Sequence, residues 1–229
     1  MPANENKIRQ VCVYCASSRA CDELYFEAAE NLGRELARNR IGIVYGGGGG
    51  GLMGRLADAA LREGGCVTGI LPHFMNDLEW GHRKLTELLL VEGMHERKRA
   101  MLDRADAVIA LPGGCGTLEE LFEAIAWKRL GLYLGPIVLV NVRGFFDPCI
   151  ELLERCVDEK FMDQRHRDMW IIVSSSGEVV KALRNAPSWS ARNRSFAVAG
   201  VARLEPVEEV ANVSLRQKAR ISAPPSAAE

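Results

Sequence analysis

No stretch of the 229-residue chain approaches the roughly 20 consecutive apolar residues that span a bilayer. The first ten residues, MPANENKIRQ, lack the apolar core of a secretory signal. A cytoplasmic protein with no membrane partner is expected. Charge of one sign is not in excess either: 29 Lys and Arg stand against 30 Asp and Glu. At that balance no bulk attraction to nucleic acid or an anionic surface is expected. The seven cysteines include one C-x-x-C, Cys12 and Cys15, within an apparent strand. Zinc would need a second pair at ligand spacing, and none is present. A redox C-x-x-C usually opens a helix, which Cys15 does not obviously do. Reduced, mostly buried thiols are expected, with no metal site. The four histidines make no H-E-x-x-H, because Arg99 stands where the second His of His95-Glu96 should be.

What is present is alternation. Apolar runs of strand length recur at Ile8–Tyr14, Ile41–Tyr45, Cys66–Leu71, Leu88–Val91, Ala107–Leu111, Ile137–Val140 and Ile171–Val173. Helical patterns lie between them. Asp22 is placed to cap one helix, with Leu24, Ala28, Leu32 and Leu36 on its apolar side. Asp147-Pro148 opens another, and Gly131 ends the helix before it. The reading is α/β: a doubly wound, Rossmann-like parallel sheet in a single domain, residues 8–185. From Pro187 to Glu229 the pattern loosens into a Ser-, Ala- and Arg-rich tail, expected to be partly disordered.

The chain is organised around Ala107–Leu130. A buried strand leads into Pro112-Gly113-Gly114-Cys115-Gly116 and then a helix, with Leu118, Leu121, Phe122 and Ile125 at one-face spacing. Such a turn suits an anion, because glycine admits close backbone approach and the helix start offers unpaired N–H groups. Glu120 has two readings at this point. With Thr117 it fits a capping box; alternatively it is a catalytic carboxylate beside a phosphate-bearing sugar.

A second glycine turn, Gly46–Gly51, follows the second strand. Six glycines satisfy G-x-G-x-x-G, but the next strand ends in Pro72-His73 with no acid for a ribose. Leu52 stands where a Walker A loop needs Lys. Ligand contact is the favoured reading of the run, a flexible turn the other. In the helix near residues 93–104, Arg97 and Lys98 share a stripe with Met94, Met101 and Ala105. Two cations therefore point with the apolar face, either snorkelling or lining a cleft that holds an anion.

Tyr45-Gly46-Gly47-Gly48 with Gly51-Leu52-Met53-Gly54, Met94-His95-Glu96-Arg97-Lys98, and the run from Pro112 to Glu120 together resemble the LOG (Lonely Guy) family. Its members are cytokinin riboside 5'-monophosphate phosphoribohydrolases, often mislabelled lysine decarboxylases. The PGGxGTxxE signature with an upstream Arg-Lys is specific for the superfamily, less so for the hormone substrate. Cys115 fills a variable position, often Tyr. The resemblance implies cleavage of the N-glycosidic bond of AMP or prenylated AMP, without metal or redox cofactor. Arg97 and Glu120 match the catalytic pair. Lys98, Gly113, Gly114, Cys115, Gly116, Thr117, Leu118 and Glu119 match nucleotide contacts, and Glu79 matches another. Met94, Gly46, Gly47, Gly48 and Ser17 complete the expected substrate-binding set. A homodimer or larger homo-oligomer is implied, with residues near Arg129 reaching a neighbour's site. Lysine decarboxylation would require a Schiff-base lysine, and around Lys98 the rest of a pyridoxal phosphate site is not evident. Two alternatives remain at this stage: a non-catalytic carrier of a phosphorylated cofactor, as molybdenum-cofactor carriers are, and a nucleic-acid-binding module.

Overall fold

The computed structural model describes residues 8–77 and 81–198. Seven strands form one sheet: β1 (Gln10–Tyr14), β2 (Gly42–Tyr45), β3 (Val67–Pro72), β4 (Glu87–Val91), β5 (Ala107–Ala110), β6 (Ile137–Val140) and β7 (Ile171–Val173). Their order is β4-β3-β2-β1-β5-β6-β7, and every pair is parallel. The connecting helices are α1 (Glu23–Arg38), α2 (Gly51–Arg62), the short α3 (His73–Asp77), α4 (Met94–Asp103), α5 (Cys115–Arg129), α6 (Asp147–Asp158) and α7 (Val179–Arg184). The expected doubly wound α/β sheet is therefore present.

Alternation along β1 builds two cores. Val11, Val13 and Cys15 pack with α1, α2 and α7 on one face. Cys12 and Tyr14 pack with α4, α5 and α6 on the other. The central strands are buried on both faces, which is why they read as unbroken apolar runs. Chain order runs one way from β1 to β4 and the other way from β5 to β7. The reversal between β1 and β5 opens a crevice at their carboxyl ends, where such sheets bind ligands.

Local differences from the sequence reading have physical causes. On α1 the buried stripe is Phe26, Ala29, Leu32, Gly33 and Leu36, while Leu24 is exposed. Gly33 sets this rotation: a Cβ there would lie 2.4 Å from the Leu56 carbonyl oxygen of α2, so the two helices touch backbone to backbone. Asp22 caps α1 as expected, accepting from the Leu24 N–H. Asp147 is the first residue of α6, not its cap. The Asn141 side chain does the local work, accepting from the Phe146 N–H and donating to Asp147.

The packed chain continues past Pro187. Trp189 is buried and donates from Nε1 to the Lys128 carbonyl at 2.9 Å. A Ser190–Asn193 capping box starts the 3-10 turn Ala191–Phe196. Arg129 and Arg194 then tie that segment to the end of α5 through the carbonyls of Ala197 and Leu130. This strap docks on Trp and Phe side chains too sparse to make a periodic pattern. The rest of the expected tail, 199–229, and Glu79 lie outside the described residues.

Candidate active site

Four loops follow the carboxyl ends of their strands: Cys15–Ser18 after β1, Gly46–Gly50 after β2, Glu92–Gly93 after β4, and Leu111–Gly114 after β5. α5 begins at Cys115 with Gly114 as its cap, and no side chain caps it. Thr117 is thus the third residue of the helix, and Glu120 lies nearly a turn further in. The capping-box reading of Thr117 and Glu120 is overturned. The Thr117 side chain instead packs on Gly113, whose added Cβ would come within 2.1 Å of Oγ1. The N–H groups of Cys115, Gly116 and Thr117 have no protein partner among the described residues. A Cβ built on Gly114 or Gly116 meets nothing within 4 Å. Here an unpaired helix start faces open space, as an anion requires.

The helix is rotated to turn Thr117, Glu120 and Lys128 inward with Leu121, Ala124 and Ile125. Phe122, expected on the buried face, is 37% exposed, and Leu118 is half-buried. Polar residues took the inward positions that the apolar spacing assigned to Phe122.

Arg97 and Glu120 face each other. Nη1 of Arg97 lies 3.5 Å from Oε1 of Glu120, with both side chains buried. Three further contacts hold the guanidinium. Nε donates to the Ile70 carbonyl at 3.1 Å, Nη2 donates to the Gly46 carbonyl at 3.2 Å, and Nη1 sits 3.8 Å from the Met94 sulfur. Arg97 is therefore a fixed cation at the ends of β2 and β3. Burial pushes the Glu120 carboxyl up from 4.5 to about 7, outweighing the pull of Arg97 toward the ionised form. Cys12, Tyr14 and Cys15 of the β1 strand and its end lie within electrostatic reach, and burial raises all three, keeping them neutral. Lys98, on the same buried stripe, bonds Glu119 and lies 3.3 Å from Glu123. Its pKa is raised chiefly by the Glu119 hydrogen bond.

The second glycine turn serves the protein's own packing as well as the crevice. Both the Leu52 and Met53 N–H groups donate to the Ala16 carbonyl, so the start of α2 is already capped by backbone. Gly51 has φ of +62°, and its Cβ would lie 2.4 Å from Ser17 backbone. Gly46 is required by Arg97, since a Cβ would fall 2.0 Å from Nη2. Gly47 accepts from the His82 N–H, and Gly48 bridges to Gly81. Of the expected set, the fold gathers Arg97, Glu120, Met94, Lys98, Gly46 and the Gly113–Glu119 run around the crevice. Ser17 is exposed on its β1 side, with no side-chain hydrogen bond among the described residues.

Sequence reasoning missed Glu123, although it sits at i+4 from Glu119 and so on the same side of the helix. It also missed the carbonyls of Ile70, Gly46 and Ala16, for which side-chain identity carries no signal. Among the described residues no three His, Cys, Asp or Glu side chains group as metal ligands, and no helix is long and apolar enough to cross a membrane.

Residues 53–183 match the family described as "Possible lysine decarboxylase". The chain is 40% identical over 179 residues to cytokinin riboside 5'-monophosphate phosphoribohydrolase LOG5 of Arabidopsis thaliana, covering 78% of each. It is 42% identical to cytokinin riboside 5'-monophosphate phosphoribohydrolase LOG of Oryza sativa, covering 78% of this chain and 74% of that one. Among solved structures, the molybdenum cofactor carrier protein of Chlamydomonas reinhardtii matches with a TM-score of 0.59 at 17% identity. That match covers 79% of this chain and 98% of the carrier, and at such identity the likeness is one of fold. With four-tenths identity over more than three-quarters of its length, the chain belongs to the LOG family of cytokinin riboside 5'-monophosphate phosphoribohydrolases.

Proposed function

We propose that this chain hydrolyses the N-glycosidic bond of adenosine 5'-monophosphates, AMP or its N6-prenylated forms, to free base and ribose 5-phosphate. The observation that carries the reading is the buried Arg97–Glu120 pair beside the uncapped start of α5. The 5'-phosphate accepts from the N–H groups of Cys115, Gly116 and Thr117, which fixes the sugar. Cleavage of such a bond passes through an oxocarbenium-like transition state. The Glu120 carboxylate stabilises that cation and orients water toward C1'. Water adds at C1' and gives up a proton. The base leaves with the bonding pair and takes a proton up. A carboxyl titrating near 7 is suited to hold that proton in between. Arg97 keeps part of the Glu120 population ionised against its burial.

The substrate named for the relatives, a cytokinin riboside 5'-monophosphate, supports the nucleotide class. The carrier reading gains no such support, since a carrier has no need of a paired Arg97 and Glu120. The enzyme acts as a homodimer or larger homo-oligomer. Exposed Phe122 and Ala126 on one stripe of α5, with exposed Leu130 just beyond the helix, support a self-association face near the site. Seven free thiols support a reducing compartment, the cytoplasm.

The test is a panel of AMP, isopentenyl-AMP and the two matching nucleosides, with products separated by chromatography. Free base from the nucleotides is expected, at least about a hundredfold faster than from nucleosides that lack the phosphate grip. Equal rates with and without phosphate would remove the role assigned to α5.

A further inference from the structure

Lysine is almost never fully buried without a partner, and Lys98 is 7% exposed. Its Nζ reaches from α4 to two carboxylates of α5, Glu119 and, at 3.3 Å, Glu123. Those two residues are one helical turn apart and bracket Glu120 in sequence. The ammonium has three donors, and two are directed at α5. Arg97, the preceding residue, reaches Glu120 itself. Two adjacent cations on α4 thus grip three carboxylates on α5.

The charged and titratable groups around Glu120 come from three elements. α4 supplies Arg97 and Lys98, α5 supplies Glu119 and Glu123, and the β1 strand with its end supplies the neutral Cys12, Tyr14 and Cys15. Three carboxylates therefore share two cations. Without Lys98, two like charges beside Glu120 would go uncompensated, and a proton would bind Glu120 more readily.

We propose that Lys98 is a positioning residue: by bridging Glu119 and Glu123 it fixes α4 against α5, sets the Arg97–Glu120 approach, and offsets the two carboxylates that flank Glu120. The kinetic half of this rests on the phosphoribohydrolase reading; the electrostatic half does not. It differs from a role as a nucleotide contact, which the family resemblance implies for this position.

The test is a carbon-13 NMR titration of the Glu120 carboxyl in the full chain, assigned by its loss in Glu120→Gln, alongside the pH dependence of base release. Lys98→Met should raise the Glu120 midpoint by about 1 unit. It should also carry the acid limb of kcat upward by the same amount, with KM for AMP changing less than about twofold. Lys98→Arg should restore the midpoint. Lys98→Gln, which removes the charge but keeps a polar chain, should raise it likewise, and it serves if Lys98→Met does not fold. An unmoved midpoint in whichever of these two variants folds overturns the proposal. So does a rise in KM with an unchanged acid limb, the signature of a nucleotide contact. If the wild-type chain releases no base at all, the enzymatic reading fails while the titration still decides the electrostatics.

Discussion

Glu120 is costly to the fold in the form the chemistry needs. Its carboxyl titrates near 4.5 when unfolded and near 7 when folded. Between those values the folded chain binds more protons, so stability falls as pH rises through the window and levels off above it. The loss is roughly 3 kcal/mol across the window. Activity runs the opposite way, rising with pH as the carboxylate forms. Glu120→Gln should therefore abolish base release yet show a smaller decline of Tm between pH 5 and pH 8 than the wild type. Calorimetry at those two pH values checks it, and parallel declines would refute the assigned titration. Gly46 makes a second prediction. A methyl there would push Nη2 of Arg97 away, because it would come within 2.0 Å. Gly46→Ala should lower kcat by about tenfold or more, the cost of losing one positioned contact, with far less change in Tm.

At the scale of elements, α5 joins two regions. Its start faces the crevice, and its end is held by the strap through Trp189, Arg194 and Ala197. Trp189→Ala should destabilise the chain by about 3–5 kcal/mol, the range for emptying a buried Trp site. Denaturant melts would show it, and a change under 1 kcal/mol would mean that the strap is not part of the cooperative unit. The strap also marks where legibility ended. Parallel strands such as Ile137–Val140 stand out because burial on both faces leaves an unbroken apolar run. The segment after Pro187 docks through single aromatic side chains and hydrogen bonds to carbonyls, which leave no period in the sequence. The same limit applied to helix phase. On α5 the apolar spacing fitted Leu118 and Phe122, but the site required Thr117 and Glu120 inside, and the helix turned accordingly. Arg97 and Lys98 were legible as cations on an apolar stripe; the Arg97 partners at Ile70 and Gly46 were not, being main-chain oxygens.

At the scale of the molecule, the switch point between β1 and β5 decides where everything converges. It brings residues 97 and 120, distant in sequence and carried by separate helices, to 3.5 Å from each other. Opposite the buried face, α5 turns Phe122 outward at 37% exposure. If the self-association proposed above uses this face, Phe122→Asp should shift sedimentation from an oligomer to a monomer while the monomer stays folded. An unchanged sedimentation coefficient would place the self-association face elsewhere. The most direct measurement is the product balance of AMP incubated with the wild-type chain and with Glu120→Gln, quantifying adenine and ribose 5-phosphate together. The expected result is equimolar release by the wild type and none by the variant, which still binds the nucleotide. Intact AMP with folded wild type, or equal release by both proteins, would contradict the assignment of the Arg97–Glu120 pair to glycosidic cleavage.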